Sequence, residues 1–61
     1  MENLIAYVKE IAKKHPQVKD EVFDLLELCM DEIEEGGSKE HEIDLCRRDI
    51  ENILAENNLS I

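Results

Sequence analysis

A chain of 61 residues forms one domain and buries only about 60% of the surface its unfolded form exposes, so it cannot wall a large cofactor pocket beside a separate core. With 38% charged and 43% apolar residues, one proline, two glycines and no tryptophan, the composition describes a compact helical protein and excludes a disordered tail. Sixteen acids against seven bases give a net charge of −9, which repels nucleic-acid phosphates and anionic membranes and selects a cation or a basic protein surface as any electrostatically steered partner.

In chain order, Met1, Leu4, Ile5, Val8, Ile11, Ala12 and His15 recur at steps of three and four, which predicts a first amphipathic helix over about residues 3–14. Asn3 is its candidate cap, Lys13 and Lys14 suit the negative end of its dipole, and Pro16 stops it. The opening Met1-Glu2-Asn3-Leu4 lacks a basic region ahead of an apolar run, and no stretch approaches a membrane span, so a cytoplasmic, soluble protein is expected.

Pro16 is suited to open a second helix over about 16–35, with Val18, Val22, Leu25, Leu26, Cys29 and Ile33 as its apolar stripe. Residues 16–35 hold one lysine against eight acids, so this helix carries most of the negative field. Gly36-Gly37 supplies a left-handed stop, and Ser38 is placed to cap a third helix over about 38–56. Its stripe is Ile43, Cys46, Ile50, Ile53 and Leu54, followed by a short tail, 57–61.

The fold class expected is all-α, an antiparallel three-helix bundle in which a short first helix leans on a long hairpin. Reversal at Gly37 puts residues whose numbers sum to about 75 at one level, pairing Ile33 with Ile43, Cys29 with Cys46, Leu26 with Ile50 and Val22 with Ile53. A first helix shorter by roughly 12 Å leaves the hairpin tip half-covered. Either the tail Leu59-Ser60-Ile61 or a second copy of the chain must shelter it, and the two-fold homodimer is the expected solution. Its interface would comprise Phe23, Cys29, Met30, Ile33, Ile43 and Cys46, while Leu28 and Leu45 stand as isolated leucines on wetter sides.

Residues 31–42, DEIEEGGSKEHE, have the length of a calcium loop, and Asp31, Glu35, Gly36 and Glu42 fall where such a loop needs them. Ile33 at the third place and Lys39 at the ninth do not, which leaves at most weak cation binding near this turn. Cys29 and Cys46 lie on apolar stripes and are expected as reduced core thiols, with no Cys-x-x-Cys or His-x-x-x-His spacing to hold a metal. No glycine-rich phosphate loop or Glu-x-x-His pair is present and the two histidines are 26 residues apart, so neither a cofactor nor an enzymatic activity is expected.

Glu42-Ile43-Asp44 resembles part of the motif of the small helical-hairpin phosphatases that act on sporulation response regulators. The serine-glutamine lead of that motif is missing and Ile43 already serves the core stripe, so no residue roles transfer. The reading that follows is a small acidic interaction module, acting as a homodimer or an accessory or regulatory subunit. The alternative is a nucleic-acid mimic: Asp20, Asp24, Glu27, Asp31 and Glu35, about 6 Å apart along one helix face, would imitate a phosphate row inside a basic protein groove.

Overall fold

A computed structural model describes residues 1–59. Within them the chain forms three helices, α1 (Glu2–Lys14), α2 (Lys19–Glu34) and α3 (Lys39–Glu56), with a 3₁₀ turn at Pro16–Val18 between the first two, and no strand. No helix among these residues is long and apolar enough to cross a membrane.

The helix ends follow from the residues that stand there. At the end of α1 the His15 N–H still donates to the Ile11 carbonyl at 2.7 Å, but His15 turns to φ −131° ahead of Pro16, whose ring excludes a helical continuation. Pro16 opens a 3₁₀ turn, not an α-helix: the Val18 N–H donates to the His15 carbonyl at 3.1 Å, and α2 begins only at Lys19. The start of α1 also differs from expectation. Met1 holds the cap position and its carbonyl accepts from the Ile5 N–H at 3.0 Å, so Asn3 lies inside the first turn. Ser38 does precede α3 in extended conformation, yet its hydroxyl makes no capping hydrogen bond.

The stop at Gly36-Gly37 is a Schellman motif. The Gly37 N–H donates to the Glu32 carbonyl at 2.9 Å and the Gly36 N–H to the Ile33 carbonyl at 3.1 Å, with Gly36 at φ +103°. A methyl group on Gly37 would stand 2.8 Å from the Glu32 carbonyl oxygen, so both glycines are demanded, one by its dihedral and one by space. Gly36→Ala is expected to destabilise the fold by about 1–2 kcal/mol, read as a lowered urea midpoint at unchanged slope. A midpoint equal to that of the native sequence would show that the turn relaxes without cost. The same motif ends α3 with Asn58 in the left-handed position at φ 57°: the Leu59 N–H donates to the Leu54 carbonyl at 2.8 Å, and the half-buried Leu59 side chain packs on the core. The start of the tail therefore closes the base of the bundle; Ser60 and Ile61 lie outside the described residues.

Apolar periodicity decides which face of each helix is buried. Leu4, Val8, Ile11 and Ala12 from α1, Val18 from the turn, Val22, Leu26 and Cys29 from α2, and Cys46, Ile50 and Leu54 from α3 form one core with no buried polar or charged side chain among the described residues. Packing of α2 against both neighbours gives a body of 33 × 17 × 17 Å, whose long axis is little more than the roughly 27 Å of α3. On the α1–α3 side the Arg47 guanidinium sits over the Tyr7 ring, 5.2 Å from its centroid.

The expected mismatch between a short first helix and a long second one is much smaller in the structure. With 13 residues in α1 and 16 in α2, the helices differ by roughly 4.5 Å, because residues 16–18 are spent on the 3₁₀ turn and α1 begins at Glu2. Met1 packs against the core, and the first turn of α1 meets the start of α3, where Met1, Glu2, Asn3 and Lys39 border a common shallow depression. The beginning of this same chain thus covers part of the far tip. Cys29 and Cys46 are each only 4% exposed and Ile33 and Ile43 are half-buried, while Met30 stays open to water.

Candidate functional site

Where, then, is apolar surface left without a cover? Leu28 is 58% exposed, Met30 44% and Leu45 38%; Leu28 and Met30 fall on two different sides of α2, and Leu45 is on α3. Met30 follows Leu28 by two residues, or about 200° around the helix. It shares a flank with the half-buried Phe23, seven positions earlier.

Leu28 and Leu45 belong together. They are walls of one open groove between α2 and α3, with a volume of about 110 Å³. Leu25, Leu28 and Glu32 come from the α2 side, Glu42, Leu45 and Asp49 from α3, and the buried Cys29 and Cys46 form its floor. The residues match in level because the chain reverses at residues 35–38: Leu25 lies opposite Asp49, Leu28 opposite Leu45 and Glu32 opposite Glu42. Just outside, Asp24, Glu27 and Asp31 surround the outer face of Leu28 in a second shallow depression.

The groove is therefore apolar at its centre and acidic at its rim. Among the described residues the ion pair found is Lys14 with Glu10, at 3.7 Å and exposed on α1, so no lysine or arginine neutralises the rim. One turn outward on α3, Arg48 flanks Leu45 and makes that side less negative than the α2 side.

Chemically the floor is inert at neutral pH. Burial, then the neighbouring Cys29 and Asp49, push the Cys46 thiol up to about 11, against a smaller opposing pull from Arg47. The Cys29 thiol is also raised, by burial and by Glu42, and is pulled partly back by the hydrogen bond from Cys46 and by the terminal amino group. Both cysteines are free, and both are thiols where nucleophilic chemistry would need a thiolate. Burial and the Glu51 carboxylate likewise raise the Tyr7 hydroxyl.

The residues singled out from the sequence separate into three groups. Cys29 and Cys46 lie inside the monomer and offer no interface surface; Phe23, Ile33 and Ile43 show only their edges; Met30 alone is open. The acidic row Asp20, Asp24, Glu27, Asp31 and Glu35 is exposed throughout, and three of its members border Leu28. The twelve residues from 31 to 42 make the last turn of α2, a short reversal and the first turn of α3, and no three histidine, cysteine or carboxylate groups among the described residues are placed to hold a metal ion. The Leu25–Leu28–Leu45 groove escaped the periodic reading, although the level rule that pairs Cys29 with Cys46 also pairs Leu28 with Leu45. No protein-family model, curated protein or solved structure matches the chain.

Proposed function

We propose that this chain is a small acidic interaction module without catalytic activity, acting as an accessory or regulatory subunit that presents a surface to another protein. The observation that carries the reading is the pair Leu28 and Leu45, facing each other across an open groove on a domain whose core is otherwise closed. Self-association is the second form of the same reading. The observation in its favour is Met30, 44% exposed beside Phe23, and a homodimer would use that flank with Ile33 and Ile43 at its edge.

Photo-crosslinking in the source cells tests both forms. A photoreactive residue at position 28 is expected to capture one defined protein, whereas the same group at the exposed Lys9 captures none. An adduct of twice the chain's own mass, formed from position 30, identifies the homodimer. Absence of any adduct from positions 28, 30 and 45 would remove the interaction reading altogether.

Mimicry of nucleic acid stands as an alternative, because the five carboxylates of the row Asp20, Asp24, Glu27, Asp31 and Glu35 are all exposed and none forms an ion pair among the described residues. A mimic releases its partner steeply as salt rises, while a module anchored by leucines holds through moderate ionic strength.

A further inference from the structure

We infer that the groove between α2 and α3 receives an amphipathic helix of another protein, with apolar anchors on one stripe and lysines or arginines along the flank that lies over α2. This inference rests on the interaction-module reading and names the partner it implies. Three features of the groove lead to it, and together they exclude the other occupants.

Direction comes first. The groove runs between two helices and parallel to them, on the side turned away from α1: Arg47, which reaches the Tyr7 ring of α1, and Leu45 are two residues apart and so about 200° apart around α3. A helix lying there would complete a four-helix arrangement. Spacing is the second feature. Leu25 and Leu28 are one turn apart on α2 and Leu45 faces Leu28 from α3, so two anchors at i and i+3 or i+4 of an incoming helix meet leucine at two successive levels.

Charge is the third, and it decides the partner. Asp24, Glu27, Asp31 and Glu32 crowd the α2 side of Leu28, whereas on α3 the inward Glu42 and Asp49 are backed by Arg48. The field is strongest over α2, so the cationic flank of the visitor belongs there. A second copy of this chain is the wrong visitor, because it brings the same acidic rim and the same net charge of −9. Nucleic acids and anionic membranes are repelled for the same reason.

The test uses the full chain labelled with nitrogen-15 and a synthetic helical peptide carrying leucines on one stripe and lysines beside them. A control peptide has glutamates in place of the lysines. Saturable amide shifts centred on Leu25, Leu28, Glu32, Leu45 and Asp49, with the lysine peptide only, are expected. Leu28→Glu and Leu45→Glu should each weaken binding about tenfold or more while circular dichroism stays unchanged. These substitutions add negative charge, so attraction by charge alone would strengthen where anchored docking weakens. Stronger or equal binding by either variant overturns the inference, as do shifts on the Phe23–Met30 flank or equal binding by the glutamate peptide. Failure of the lysine peptide to bind, with position 28 still crosslinking to a foreign protein, overturns the helix partner and leaves the module intact; failure of both removes the two together. Sedimentation as a dimer that Leu28→Glu splits would make the occupant a second copy.

Discussion

Replacing Ile50 by alanine is expected to remove about 2–5 kcal/mol from the stability of this chain. Ile50 is 0% exposed and sits in the one core shared by all three helices, so little can move to fill the space it leaves. A domain of 61 residues has roughly 3–9 kcal/mol in all, at the usual 0.05–0.15 kcal/mol per residue. The variant should therefore melt tens of degrees lower, or be largely unfolded at room temperature, when followed by circular dichroism. Leu28→Ala provides the contrast: at 58% exposure it leaves no cavity and should stay within about 1 kcal/mol of the native sequence. Equal melting temperatures for the two variants would contradict the core described here.

Thiol labelling should show the second large effect. With Cys46 raised to about 11 from an ordinary value of 9.0, the thiolate fraction at pH 8 falls about a hundredfold, before restricted access slows the reaction further. A disulfide reagent added to the native protein is expected to react with Cys29 and Cys46 only as fast as the chain opens, and immediately in concentrated urea. Fast labelling of either thiol in the native protein would place that thiol at the surface. The same shift carries a pH dependence of definite sign. The folded state holds the Cys46 proton more tightly than the unfolded chain does, so this contribution to stability is complete below about pH 9 and is lost as pH rises through about 11. The raised Cys29 and Tyr7 act in the same direction, so stability should fall further as the pH is taken into the alkaline range.

Much of this architecture is legible in the residue pattern, for reasons that are local. The steps of three and four in each helix select the eleven buried core residues, from Leu4 to Leu54, because a helix has one period and one buried face. Gly36-Gly37 marks its turn because only glycine meets both the positive φ and the close carbonyl. What the pattern does not contain is geometry set by competition between distant parts. Pro16 is compatible with an α-helix or a 3₁₀ turn, and that choice, with Met1 packing near the tip, leaves less of the tip open than the expected helix lengths imply, although Met30 stays exposed there. The Tyr7–Arg47 contact and the Leu28–Leu45 groove likewise arise between helices. Leu28 and Leu45 break the periodicity of their own segments and so look incidental until α2 and α3 are laid side by side.

An interior made only of aliphatic groups and two thiols holds little that would penalise sliding, the weak hydrogen bond between Cys46 and Cys29 apart. In a core with a strongly hydrogen-bonded polar pair, a shift by one turn strands a donor in oil and costs dearly; here such a shift trades one greasy neighbour for another and gives up one weak sulfur contact. Alignment is consequently imposed from the two hinges, Pro16 for α1 against α2 and Gly36-Gly37 for α2 against α3, much as a folding ruler is aligned by its rivets. Lengthening either hinge with flexible residues would free the rods to adopt several alignments of similar energy, and the chain would keep its helices while losing a single arrangement of them.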